Sequence, residues 1–127
     1  MEPVYEVVSS KSFAETVEAV IESTAANGFR VLHVHDVQAT LAEKSFERDP
    51  LKIIEVCNAK YAHTALQIDV TISLLMPCRI NVYVRDGKTV ISTVKPQALA
   101  GMFDREELKS FAEDVEGVLL KIIAESK

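Results

Sequence analysis

The chain has 127 residues, 48% of them hydrophobic and 26% charged, with a formal net charge of −5. This length suits one domain, over 1–127, whose core needs no disulfide or metal staple. A negative charge without any lysine or arginine run argues against nucleic acid and anionic membranes as partners. No apolar stretch reaches the roughly 20 residues of a transmembrane helix, and the N-terminus lacks a secretion-signal pattern. We therefore expect a cytoplasmic protein whose two cysteines are reduced thiols.

The first half of the chain predicts two strands, each followed by a helix. A β-branched run indicates a strand over 4–9. Segment 12–15 matches a capping box, in which a serine hydroxyl and a glutamate satisfy the first free backbone donors of a helix. Gly28 ends this helix, because glycine adopts the left-handed conformation without steric strain. The second strand follows over 29–37 and the short helix over 38–44.

The second half predicts a strand and a helix, then a hairpin. The strand covers 53–57, and Asn58 is a natural N-cap for a helix over 59–67. Two further strands are expected within 78–94, joined by an Asp-Gly turn at 86–87, since both residues tolerate positive φ. In the first of these strands, apolar side chains alternate with polar ones, which predicts one buried face and one wetter face.

A long amphipathic helix closes the chain, with Asp104 expected as its N-cap and Glu107 at its third position. Its apolar residues form one stripe at helical spacing: Leu108, Phe111, Ala112, Val115, Val118, Leu119, Ile122 and Ile123. We predict an α+β fold, a two-layer α/β sandwich in which helices cover one face of a mixed sheet of about five strands.

Cys57 is the strongest candidate for a functional residue. It lies at the junction between the end of the third strand and the start of a helix. The free N–H groups of a helix N-terminus favour the thiolate form of a nearby cysteine. Lys60 adds a cation nearby. The alternative is that Cys57 packs in the core as a small hydrophobe.

Cys78 opens the next strand directly after Pro77. If these two strands are neighbours, the two sulfurs can share one edge, as a redox pair or as two of four zinc ligands. His63 is then a candidate third ligand or acid/base partner. Core packing of the cysteines and a solvated His63 are the alternatives.

His33 and His35 form a second candidate pair. Their spacing places both imidazoles on one face of the second strand, together with Phe29, Val31 and Val37. Two imidazoles on one face can bind a metal, whereas the apolar neighbours favour a partly buried face or a subunit contact.

Two local motifs, Cys-Asn-x-Lys-Tyr-Ala and Pro-Cys-Arg, carry a resemblance to the DUF302 family, a domain of unknown function. The matching segments span most of the chain: 27–29, 36–41, 55–62 and 74–83. The resemblance implies a compact α/β domain, often a homodimer, with no established activity. The family usually has Pro where this chain has Ala59, and it is acidic or aliphatic where this chain has Val34 and His35.

The leading functional hypothesis is a small binding or sensing domain with a thiol-lined pocket around Cys57 and Cys78. The candidate ligand-binding residues are Asn58, Lys60, Tyr61 and Arg79. A second hypothesis is an enzyme of sulfur transfer or disulfide exchange, with Cys57 as nucleophile and Cys78 as resolving thiol. Metal binding by Cys57, Cys78 and His63 is a third, and a purely structural dimerisation module is a fourth. No phosphate loop or dinucleotide fingerprint is present, so the sequence identifies no cofactor.

Overall fold

The structure, a computed structural model, describes residues 2–127. Within that range the strands are β1 (Val4–Ser9), β2 (Arg30–Asp36), β3 (Leu51–Cys57), β4 (Cys78–Arg85) and β5 (Lys88–Val94). The α-helices are α1 (Phe13–Ala26), α2 (Val37–Ala42), α3 (Ala59–Ile68), α4 (Pro96–Ala100) and α5 (Glu106–Ser126). A 3₁₀ helix spans Val70–Leu75, between α3 and β4. No helix in this range is both long and apolar enough to cross a membrane.

The strands form one sheet in the order β1-β5-β4-β3-β2, with antiparallel pairing between every two neighbours. The α+β class and the five strands are confirmed, but the mixed sheet is wrong. The physical reason is that α1 carries the chain across the whole sheet, from β1 at one edge to β2 at the other. β1 and β2 therefore do not pair with each other, and the helix between them does not connect two parallel neighbouring strands.

The hydrophobic core lies between one face of the sheet and the two long helices α1 and α5. Val20 of α1 and Leu119 of α5 are fully buried, as are Ile54 and Ile80 on the facing strands. The predicted apolar stripe of α5 is confirmed, because its residues are buried or partly buried against this face. Each large side chain buried there contributes roughly 1.5–3 kcal/mol to stability.

Two predicted helix starts are confirmed and one is wrong. Ser12 and Glu15 form the reciprocal capping box of α1, and the Asn58 side chain caps α3. Asp104 does not cap α5, whose N-cap position is Arg105 and which has no side-chain cap hydrogen bond. The first turn of α5 instead carries two glutamates, whose charge complements the positive end of the helix dipole.

A β-bulge in β2 changes the faces predicted for this strand. The register of β2 against β3 shifts between Val31 and His33. Val31 consequently packs against the core, whereas His33 and His35 are exposed. The prediction that the two histidines share a face with Phe29, Val31 and Val37 is therefore wrong for Val31 and for Phe29, which is buried in the core. One extra residue in a strand reverses the alternation that follows it.

Two short helices were missed by the sequence patterns, and both lie beside the candidate site. The 3₁₀ helix follows α3 after Asp69, and α4 begins at Pro96, directly after β5. Each has five or six residues, too few to show a helical period. Apolar side chains from both face the end of the sheet where β3 ends and β4 begins.

Candidate functional site

A cavity of about 270 Å³ lies at that end of the sheet. Its floor is formed by the adjoining ends of β3, β4 and β5, and its walls by α3, the 3₁₀ helix, α4 and α5. The lining is mostly aliphatic and aromatic, with Met76, Leu99 and Phe103 among its residues. Leu74 also lines the cavity although 82% of its surface is exposed, so we place the mouth at this residue. Such a concave apolar space is the usual form of a small-molecule site.

Cys57 and Cys78 both line this cavity, and both are free thiols that are partly buried. Cys57 is the last residue of β3, and Cys78 is the first residue of β4. In the antiparallel register Cys78 lies opposite Val56, the residue before Cys57. β3 and β4 are therefore neighbours in the sheet, as expected, and their pairing brings both cysteines to one site.

The two thiols differ in their surroundings. Burial raises the pKa of the Cys78 thiol from 9.0 to about 11, the nearby Cys57 adds to this rise, and Arg79 partly opposes it. Cys78 is consequently a mostly protonated thiol at neutral pH, and a protonated thiol is a poor nucleophile. The raised pKa thus disfavours Cys78 as the thiol that attacks first at neutral pH.

Asn58 and Tyr61 are brought to the cavity by the start of α3. The Asn58 side-chain oxygen accepts a hydrogen bond from the Tyr61 backbone N–H at 3.0 Å, and its amide nitrogen donates to the Gly28 carbonyl at 2.9 Å. The Tyr61 ring lies between Phe29 and Phe111, with centroids 5.9 Å from each. These contacts fix the helix start that borders Cys57.

Two of the predicted residues are not part of the cavity. Lys60 and His63 are exposed on α3 and do not line it, and His63 hydrogen-bonds with Gln67 one turn along the helix at 3.2 Å. Within 2–127, no three His, Cys, Asp or Glu side chains form a group that could hold a metal ion. The predicted metal set of two cysteines and His63 is therefore not assembled.

Polar contacts hold the two short helical walls in place. Glu116 of α5 accepts hydrogen bonds from Gln97 of α4, from the backbone nitrogen at 3.2 Å and from the side-chain amide at 2.8 Å. Asp69 caps the 3₁₀ helix by accepting from the Thr71 backbone and hydroxyl, and it lies 3.4 Å from the Arg105 guanidinium. These contacts with Thr71 and Arg105 lower the pKa of Asp69. Both walls are thus tied to neighbouring elements by carboxylates.

Sequence reasoning missed most of the cavity walls. Met76, Leu99 and Phe103 stand in short apolar stretches around Pro77 and Pro96, where no period distinguishes a site from a connecting loop. The available signal was the clustering of apolar residues beside those prolines. Such clustering predicts that these residues are buried, but it does not predict that they enclose a cavity.

A family model and a solved structure both relate this chain to the same protein family. The family described as "Domain of unknown function DUF302" matches residues 5–126. The crystal structure of an uncharacterized conserved DUF302 protein from Bacillus stearothermophilus superposes with a TM-score of 0.96 and 33% sequence identity, covering 100% of both chains. No curated protein matches the chain.

Proposed function

Because the chain belongs to the DUF302 family, whose description names no activity, we propose a function from its cavity: this is a small binding domain that holds a compact, largely apolar ligand beside two thiols. The observation that carries the proposal is the cavity of about 270 Å³ with Cys57 and Cys78 on its wall. Ligand sites are concave, mostly apolar and supplied with a few polar groups that orient the ligand.

The chemistry of the lining supports an apolar ligand. Aromatic rings from Phe29, Tyr61, Phe103 and Phe111 surround a space into which few polar groups reach. Arg79 is the one charged residue that lines it, within the described part of the chain, and its side chain is exposed. A strongly charged ligand would lose its hydration against these apolar walls, with Arg79 as its one ionic partner among the described lining residues.

A thiol-dependent enzyme is the second candidate, favoured by the presence of both cysteines at one cavity. Cys57 would be its nucleophile, next to the start of α3. The high pKa of Cys78 slows attack by this thiol at neutral pH, so binding is the better-supported function. Metal binding by these cysteines with His63 is not proposed, because the three residues do not form a group.

We propose that this function operates in the cytoplasm, a reducing compartment in which the two cysteines that line the cavity would stay reduced. Disulfides are rare in such compartments.

The test is calorimetric titration of the protein with indole, a small apolar aromatic probe. We expect saturable binding, and protection of Cys57 from iodoacetamide in the bound state. Ala62 lines the cavity and Ala59 does not, so Ala62→Leu should abolish binding by filling the space while Ala59→Leu should leave it intact. Equal binding to both variants, or none to the unmodified protein, would contradict the proposal.

A further inference from the structure

A second cavity, shallow and open to solvent, lies on the opposite face of the sheet and shares Arg79 with the site described above. It has a volume of about 360 Å³ and is lined by residues of α2, β2, β3 and β4. Its apolar wall consists of Val37, Leu41 and Ile53. Its polar side carries one residue of each charge, Glu55 and Arg79, together with His35.

The two charges are close but do not neutralise each other. Glu55 and Arg79 are directly opposed in the register of β3 and β4, where side chains lie near enough to pair. The Oε2 atom of Glu55 instead lies 3.1 Å from His35 Nε2. Among residues 2–127 the Arg79 guanidinium has no carboxylate within 4.0 Å. An anionic and a cationic group thus face one concave space beside an aliphatic wall.

This arrangement matches the chemistry of one class of ligand. A guanidinium binds a carboxylate through two parallel hydrogen bonds, and the carboxylate of Glu55 can accept from an ammonium group through its Oε1 atom. A simple anion would be repelled by Glu55, and a simple cation by Arg79. We propose that the second cavity binds a small zwitterion, an α-amino acid with an aliphatic side chain, whose side chain packs on Val37, Leu41 and Ile53.

The test is an NMR titration of the ¹⁵N-labelled protein with L-leucine. We expect saturable shift changes for amides of α2 and of β3 around Glu55, and none around α4 in the first cavity. Two analogues of L-leucine test whether binding requires both charged groups. 4-Methylpentanoate lacks the ammonium group, and isopentylamine lacks the carboxylate. Each should bind at least tenfold more weakly than L-leucine. An analogue that binds as tightly as L-leucine, or the absence of shifts in α2, would overturn the inference.

Variants separate this site from the first cavity. Glu55→Gln should weaken L-leucine binding at least tenfold and leave indole binding unchanged, because Glu55 lines only the second cavity. Arg79→Gln should weaken it similarly. The matched control is Arg85→Gln, which removes a guanidinium from the same strand and face, where Arg85 pairs with Glu6 outside the cavity. Equal losses in all three variants would show that L-leucine does not recognise this charge pair, and would refute the proposal.

Discussion

The raised pKa of Cys78 predicts a thiol that is nearly inert at neutral pH. A shift from 9.0 to about 11 lowers the ionised fraction at pH 7 from about 1% to about 0.01%, and only the thiolate reacts. In a Cys57→Ala variant, whose one remaining thiol is Cys78, burial still raises the pKa although the contribution of Cys57 is lost. Alkylation by iodoacetamide at pH 7 should therefore be more than tenfold and up to about 100-fold slower than in the same variant unfolded in guanidinium. The rate of the folded variant should still rise tenfold per pH unit up to pH 10.

The measurement is the rate of mass increase on alkylation, followed by mass spectrometry between pH 6 and 10. A rate that levels off below pH 9, or a rate at pH 7 within tenfold of the unfolded variant, would refute the reasoning. The same shift sets the sign of the pH effect on stability. Because the folded state holds the proton more tightly, the contribution of Cys78 is complete below pH 9 and is lost as the pH rises through about 11. The loss is at most about 3 kcal/mol, and Cys78→Ala should remove it.

Further predictions concern the core, the cavity walls, the response to acid and the assembly. Leu119→Ala should lower the free energy of unfolding by about 2–5 kcal/mol in urea titrations, since Leu119 is fully buried, and a loss below about 1 kcal/mol would be inconsistent with a packed core. Glu116→Ala should weaken indole binding at least threefold in calorimetry by releasing α4; the exposed Glu113→Ala is the control, and an equal effect of both would count against this role. The pKa of Asp69 is lowered, chiefly by the hydrogen bond that the Thr71 side chain donates to it. The stability that this carboxylate contributes is therefore present above pH 3.8 and lost as the pH falls through the pKa of the folded state. Asp69→Asn should flatten the acid side of a thermal-unfolding profile, and an unchanged profile would argue against it. From the family resemblance we expect light scattering to give the mass of two chains, whereas a single-chain mass would contradict this expectation.

Local patterns were sufficient to predict most of the fold. The capping residues Ser12 and Asn58 work through hydrogen bonds to backbone only three residues away, so their role is visible in a short stretch of sequence. The turn at 86–87 is local in the same sense, and both of its residues have positive φ. The proximity of Cys57 and Cys78 was predictable because both stand at the ends of strands that pair directly.

The remaining features depend on contacts distant in sequence. The apolar wall residues Leu99 and Phe103 become part of a cavity only because α4 packs on α5, and nothing near Pro96 in the sequence indicates this. Arg79 was expected, with Lys60, among the ligand-binding residues near the cysteines. The strand register gives it another neighbour, Glu55, on the far face of the sheet. A periodic pattern cannot reveal an irregularity such as the extra residue in β2, since a count of alternate positions assumes regular pairing.

The irregularity in β2 also bears on how this protein resists aggregation. β2 is an outermost strand, with unpaired backbone groups along one side, and such a side is a template for growth of a sheet from one molecule into the next. The register shift between Val31 and His33 marks a bulge, and a bulge disfavours a regular ladder with a neighbouring molecule along the full strand. We therefore expect the distortion that turns two imidazoles toward solvent also to disfavour fibrous association at this border of the sheet.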